Sequence, residues 1–264
     1  MVKVLELFSG TGSVKKCCDK LGWDSISVDM ILPADHQCDI MDFDYKQYDK
    51  NEFDIVWASP PCTNYSQLKK CWYGRKLKDG TIYSKEQNIK EQDEADKLVL
   101  KSLEIINYFN PQYWFMENPQ TGNLKNREIM KDIPFYDVDY CMYSNWGYKK
   151  RTRIWTNKED WQNKLCDGSG SCGNMITIPT NGAKHCGYGT KIKSATRTLH
   201  KNPIGDTNKC KAVKNHMIHQ INLGNADNDL RKHSSDVSKD IGGGTNRLMR
   251  YRVPEDLIFS LFLD

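Results

Sequence analysis

The chain has no long hydrophobic run. Its opening stretch, MVKVLELFSG, is too short in apolar residues for a secretion signal and passes straight into a glycine-rich turn. No later segment approaches the roughly 20 apolar residues that span a bilayer. These absences predict a soluble protein that is not secreted, has no membrane role and works in the cytoplasm or nucleus. Paired C-x-x-C knuckles are also lacking. The ten cysteines sit in a chain of 264 residues with no export signal, so they read as reduced thiols rather than a disulfide scaffold. Charge of one sign is scarce too: a net +4 does not by itself identify a polyanionic partner. There is no convincing internal repeat. With 38% hydrophobic residues, the length allows one sizeable core plus a small appendage, not two full domains.

The charge that is present is unevenly spread. Between Asn181 and Gln220 lie Lys184, Lys191, Lys193, Arg197, Lys201, Lys209, Lys211 and Lys214 against the single acid Asp206, with His185, His200, His216 and His219 interspersed. Such a local excess suits a phosphate-binding surface, although a solvated basic loop would look the same.

Periodicity divides the chain into three parts: a main segment over 1–156, an insert over 157–244, and a segment over 245–264 that returns to the first. Val2–Phe8 reads as a strand, Ser9–Gly12 as a tight turn and Val14–Leu21 as a helix. Ser25–Asp29, Phe53–Ala58 and Tyr113–Met116 read as further buried strands, and strands alternating with helices imply an α/β fold with a parallel sheet. Thr63–Lys90, polar and broken by Gly74 and Gly80, reads as a long mobile loop before a helix over Glu91–Phe109. Tyr136–Tyr143 and Arg153–Trp155 suggest an antiparallel hairpin at the sheet edge. Asn157–Gly244 has little periodicity and reads as irregular, and a last helix is expected near Pro254.

Ligands of an open α/β sheet sit beyond the carboxyl ends of its strands, and three such ends carry unusual residues. At Phe8-Ser9-Gly10-Thr11-Gly12 the glycines let backbone approach a ligand. The turn lacks the third glycine of a dinucleotide fingerprint and the Lys-Ser/Thr of a phosphate loop, so an adenosine ligand without phosphates fits better. Asp29 ends the second strand, where an acid can accept from ribose hydroxyls. At Ser59-Pro60-Pro61-Cys62 a thiol follows a strand on backbone stiffened by prolines, which suits an oriented nucleophile. At Glu117-Asn118-Pro119 a carboxyl group ends the strand expected beside it. The two fit one chemistry: a thiolate adds to carbon 6 of cytosine readily only when ring nitrogen 3 receives a proton or strong hydrogen bond.

Together LELFSGTGS, SVD, CDI, SPPCTNYS, FMENP and KKRTRIW, in that order across Val4–Trp155, resemble the motif set of the cytosine 5-methyltransferase family. The compact length and the Arg-Val-Pro near the end are similar to its small phage- and virus-type DNA-modifying members. The resemblance implies a Rossmann-like methyltransferase sheet with a small target-recognition insert, S-adenosylmethionine as cofactor, and double-stranded DNA bound by a monomer. It implies Cys62 as nucleophile after Pro61, Glu117 on the flipped base, Asn118 holding the catalytic loop's backbone, and Arg151 and Arg153 polarising the cytosine carbonyl. Phe8 would stack on the adenine, Ser9, Gly10, Thr11 and Gly12 would line the methionine end, and Asp29 with Met30 would take the ribose. Asp39 and Ile40 would meet the adenine edge, and Ser59 would border the cofactor.

The sequence departs from the family pattern in three places. Glu6 replaces an Asp, Lys149 stands where a Gln is expected, and the closing Gly-Asn motif of larger members is missing. RNA in place of DNA, or a catalytically silent DNA-binding partner, stays open on the residues alone. In the insert, Cys166, Cys172, His185, Cys186, Cys210, His216 and His219 fit free thiols and nucleic-acid-facing histidines better than a zinc site, because close Cys pairs are absent; no metal ligands are assigned.

Overall fold

The computed structural model describes residues 1–179, 196–201, 215–216 and 251–264. Two compact units emerge. The first comprises Met1–Val138, Arg151–Lys164 and Arg252–Asp264; the second comprises Asp139–Lys150 and Leu165–Tyr251. The second unit therefore takes in a stretch that sequence reasoning places in the main segment.

The first unit is built on a six-stranded sheet in the order β2-β1-β3-β4-β6-β5, formed by β1 (Lys3–Leu7), β2 (Asp24–Val28), β3 (Ile55–Ala58), β4 (Tyr113–Pro119), β5 (Phe135–Asp139) and β6 (Arg151–Thr156). β2, β1, β3 and β4 run parallel, and β6 runs antiparallel to β4. This is the α/β sheet expected. Because side chains alternate along a strand, each apolar run supplies both faces. On one face Leu5, Leu7, Val56, Ala58 and Met116 join a core with Val99, Ile105, Ile106 and Phe109 of helix α2 (Lys85–Phe109). On the other, Trp57 and Phe115 pack against Phe262 of α3 (Glu255–Leu263), at ring centroid distances of 6.4 and 5.9 Å.

α3 begins after Pro254 and buries Leu257, Ile258, Leu261 and Phe262. Its last turn is capped by Lys158, whose buried Nζ donates to Leu261 O at 2.9 Å, a cation at the negative end of the helix. Among the described residues no helix is long and apolar enough to cross a membrane.

Four sequence expectations shift. The second helix starts at Lys85 rather than Glu91, because Ser84 Oγ accepts from Gln87 N at 3.1 Å and the first turns bury polar Asn88, Gln92 and Asp96, which hides them from an apolar periodicity. β4 runs on through Glu117, Asn118 and Pro119, since these pair with β6. The strand expected over Tyr136–Tyr143 stops at Asp139 and turns into a 3-10 helix at Tyr140–Met142. Within the stretch read as irregular, Met175–Pro179 (β7) and Thr196–His200 (β8) pair as an antiparallel ribbon.

Glu6, the departure in the first motif, joins β1 to helix α1 (Ser13–Leu21). Its Oε1 accepts from Val14 N at 3.1 Å and its Oε2 from Lys15 N at 3.0 Å, so a side chain satisfies N–H groups that the left-handed Gly12 cap leaves open. Glu6 is buried, and desolvation outweighs these donors, pushing its carboxyl up from 4.5 to about 7. A carboxyl raised on folding binds more protons in the native state between those values, so stability falls as pH rises through that window. The loss is ~3 kcal/mol at 1.36 kcal/mol per unit. Glu6→Gln, which cannot ionise, should flatten the pH dependence of urea unfolding between about pH 4.5 and 7. Parallel profiles for the two proteins would show that Glu6 is not the group responsible.

Candidate functional site

The register of β1, β3 and β4 brings the three polar turns to one sheet edge: Leu7 aligns with Ala58, and Ala58 with Met116. The first turn departs from β1 with Phe8 at φ 58°, Gly10 at 52° and Gly12 at 65°. A non-glycine residue in the left-handed region is costly, and here it is held by hydrogen bonds on both sides. Ser9 N donates to Val28 O at 3.1 Å, and Gly10 N donates to Asp29 Oδ2 at 2.8 Å.

Asp29 Oδ1 accepts from Ile31 N and Leu32 N, both at 2.8 Å, so this carboxylate ties the ends of β1 and β2 together. Met30 beside it is 57% exposed. Asp39 caps its own turn by accepting from Met41 N at 2.9 Å, and Ile40 is buried. Ser9 is buried as well, and its Oγ has no hydrogen-bond partner. A buried hydroxyl left unsatisfied costs free energy, so the Ser9 Oγ within this glycine turn marks a place where a polar ligand atom fits.

Ser59 leaves β3 with its N–H on Leu7 O at 3.1 Å, while its Oγ accepts from Trp57 Nε1 at 2.9 Å. Pro60 is buried, Pro61 is exposed and Cys62 is partly exposed at the head of a 3-10 turn over Thr63–Tyr65. The adjoining strand end fixes this turn: Asn118, wholly buried, donates from Nδ2 to Pro60 O at 2.9 Å. Behind it the loops are joined again, with Asn123 N on Tyr65 O at 2.7 Å. Gly122 leaves no room there, since a Cβ would lie 3.1 Å from Pro119 O. Glu117 is 7% exposed at the same strand end. Cys17 and Cys18 in α1 contrast with Cys62: burial pushes both thiols up to about 12, which keeps them protonated and inert.

The two arginines lie on β6, the strand that pairs with the Glu117 strand. Strand alternation and the pairing of Asn118 with Arg153 put Arg151 and Arg153 on the face of Asn118, opposite Glu117. Arg153 spends two donors on Asp137, at 2.8 and 3.0 Å, and its guanidinium lies 3.4 Å from the centre of the Phe135 ring. Three of its five donors remain for any ligand. Arg151 O accepts from Gln120 N at 3.1 Å at the edge of the same turn.

The segment after Cys62, expected as a mobile loop, is docked. Tyr65 Oη donates to Asp96 Oδ1 at 2.8 Å, and Arg127 Nε reaches Asp96 Oδ2 at 2.8 Å. Lys69 within this segment is buried and holds Glu91 Oε2 at 2.5 Å and Asn64 Oδ1 at 2.7 Å. Burial alone would raise the Glu91 carboxyl, but Lys69 and the Tyr83 hydroxyl hold it below the usual range. Lys70, Arg75, Lys76 and Lys78 are exposed, as are Trp72 and Tyr73, a basic and aromatic surface suited to a nucleic-acid strand. Sequence reasoning missed Tyr65, Asp96 and Arg127, which look like ordinary polar residues until the chain is folded. Of the basic stretch over 181–220, only 196–201 and 215–216 belong to the described residues.

A family model described as C-5 cytosine-specific DNA methylase matches residues 2–140. A Frog virus 3 (isolate Goorha) protein named "Probable DNA (cytosine-5)-methyltransferase" is 43% identical over 185 residues, which is 69% of this chain and 82% of the viral one. Among solved structures, the Entamoeba histolytica methyltransferase EhMeth aligns at 16% identity and a TM-score of 0.42, over 63% of this chain and 56% of that one. The S. pombe Dnmt2 methyltransferase aligns at 13% identity and 0.38, over 62% of this chain and 52% of that one. The chain thus spans little more than half the length of either structure. The matched segment contains both the Cys62 turn and the Glu117 turn that Asn118 joins, and the chain belongs to the C-5 cytosine-specific DNA methylase family.

Proposed function

We propose that this protein is a DNA (cytosine-5-)-methyltransferase that moves a methyl group from S-adenosylmethionine to carbon 5 of a flipped cytosine through a covalent Cys62 adduct. The observation that carries the reading is the Asn118–Pro60 hydrogen bond, which couples the Glu117 strand end to the Pro-Pro-Cys turn. A nucleophile and a proton-sharing carboxyl group act on one ring only when both are held at fixed positions.

Paired cytosine presents neither face to a nucleophile, so the base must leave the stack. The Cys62 sulfur forms a bond to carbon 6, and the electron pair of the 5,6 double bond passes toward nitrogen 3, where Glu117 shares a proton. Carbon 5, now enamine-like, takes the methyl group. Loss of the carbon 5 proton and breakage of the carbon 6–sulfur bond restore the ring. S-adenosylmethionine, when bound, supplies a methyl group activated by a sulfonium. The unsatisfied Ser9 Oγ and the uncrowded glycine turn at Gly10 and Gly12 fit its polar end, and Asp29 has oxygen lone pairs for its ribose. Phe8, Asp39 and Ile40 would hold the adenine. Arg153 would polarise the cytosine carbonyl with the donors that Asp137 leaves. Duplex DNA would meet Lys70, Arg75, Lys76 and Lys78 beside the Cys62 turn.

Cys62→Ser should abolish methyl transfer and the covalent complex with a 5-fluorocytosine oligonucleotide, while calorimetry still registers S-adenosylmethionine binding. Undiminished transfer would remove Cys62 from the mechanism. Glu117→Gln should slow single-turnover methylation by about two to four powers of ten, with a much smaller change in DNA affinity. A loss confined to affinity would contradict the proton-sharing role.

Neutralising Lys70, Arg75, Lys76 and Lys78 together should flatten the salt dependence of DNA binding by about 0.9 in slope for each phosphate no longer neutralised. Lys69→Met should instead lower stability, because it strands Glu91 without its partner. An unchanged salt slope in the quadruple variant would move the DNA surface elsewhere.

A further inference from the structure

Four side chains in the second unit converge without any part in methyl transfer. Cys141 lies in the 3-10 turn at Tyr140–Met142, Cys166 follows Leu165, Cys172 precedes β7 and His200 ends β8. Their ligand atoms all lie within 4.8 Å of one another, and Cys141 and Cys166 are buried. The Cys166 and Cys172 sulfurs stand 3.7 and 3.9 Å from His200 Nε2. A tetrahedral zinc ion with Zn–S of about 2.3 Å and Zn–N of about 2.0 Å sets sulfur and nitrogen ligands about 3.6 Å apart. None of the three cysteines is in a disulfide.

We infer that Cys141, Cys166, Cys172 and His200 form a structural zinc site that holds together the strands and turns of the second unit.

The backbone around the cluster is already fixed. Asn174 Nδ2 donates to Cys141 O and Ser144 O at 2.8 Å and to Cys172 O at 2.9 Å, and its Oδ1 accepts from Gly147 N at 3.0 Å. One amide thereby positions two ligand-bearing turns. Cys166 N donates to the buried Asp139 Oδ2 at 2.8 Å, and Lys201 N continues the β7–β8 ribbon onto Asn174 O at 2.8 Å. Such supporting hydrogen bonds are what orient metal ligands. Three thiolates around a divalent ion leave one negative charge. Lys149 lies close by, donating to Cys166 O at 2.8 Å and facing Asp139 at 3.3 Å, so the residue that departs from the family's Gln offsets the buried Asp139 carboxylate beside the cluster. With every ligand position taken by protein, the site is of the closed, structural kind. Binding would release the thiol protons to solvent and stabilise the folded unit.

Sequence reasoning missed this set because Cys141 and His200 lie far along the chain from Cys166 and Cys172, with no close Cys pair. His185, Cys186, Cys210 and His219 lie outside the described residues.

The test is elemental analysis of the full chain purified from zinc-supplemented medium, followed by exchange with cobalt(II) as an optical probe. The wild type should carry one zinc per chain, and the cobalt form should show intense thiolate-to-metal charge transfer with tetrahedral ligand-field bands. Cys172→Ala and His200→Ala should each lose the metal or the tetrahedral signature. Cys172→His should retain it, which separates ligation from general damage to the fold, and Cys71→Ser, at an exposed cysteine, should match the wild type. A metal-free wild type, a disulfide among the three cysteines on thiol titration, or cobalt bands unaltered by the Cys172 and His200 substitutions would each overturn the assignment.

Discussion

A thiol on a flexible turn is a poor catalyst, because each freely rotating bond lowers the fraction of time it points at its target. The hydrogen bond from Asn118 Nδ2 to Pro60 O removes that freedom in this protein. It is buried, so water does not compete for either atom, and losing it would leave a carbonyl unsatisfied at a cost of about 1–3 kcal/mol. The bond forms because β3 and β4 run parallel with Ala58 beside Met116, which sets the next turns side by side. The Gly122 backbone then packs closely beside the Asn118-Pro119 turn, where a Cβ would lie 3.1 Å from Pro119 O. The placement of the Cys62 turn beside the Glu117 strand end follows from the sheet register and from this backbone contact.

The same logic extends outward through charge. Tyr65, just beyond Cys62, is held by Asp96, and Asp96 is held in turn by Arg127. Lys69 and Glu91 repeat the arrangement one helical turn earlier. Pairs of this kind contribute little net stability compared with apolar packing, yet they are costly to break singly, since a lone buried charge remains. They specify one docked position for the segment after Cys62. The cations left exposed on it, Lys70, Arg75, Lys76 and Lys78, are therefore presented from a fixed base.

On the opposite face of the sheet, Glu6 does for the first turn what Asn118 does for the second. It caps α1 from below while Asp29 holds the same turn through Gly10 N. A longer acid in place of the family's Asp still reaches two helix N–H groups, so the substitution preserves the contact that shapes the Phe8–Gly12 backbone. Its burial adds a dependence on pH that an exposed cap would lack. Lys149 likewise takes up work in the second unit, beside Asp139 and Cys166, instead of copying the residue it replaces.

The sequence by itself determined the parallel α/β sheet and the polar strand ends at which the chemistry is proposed. Short aliphatic runs stopping at Gly, Pro-Pro-Cys and Glu-Asn-Pro are local signals, readable because burial on both faces demands unbroken apolar residues. The start of α2 was hidden, since its first turns bury Asn88 against Tyr73, Gln92 against Asn123 and Asp96 against Tyr65 and Arg127, all outside the helix. The docking of Lys69, the pairing of Arg153 with Asp137 and the grouping of Cys141 with Cys166, Cys172 and His200 were hidden for the same reason. Side-chain chemistry is written residue by residue, but which charges, thiols and amides meet is decided by contacts between segments far apart in the chain, and those exist only once the strands have paired.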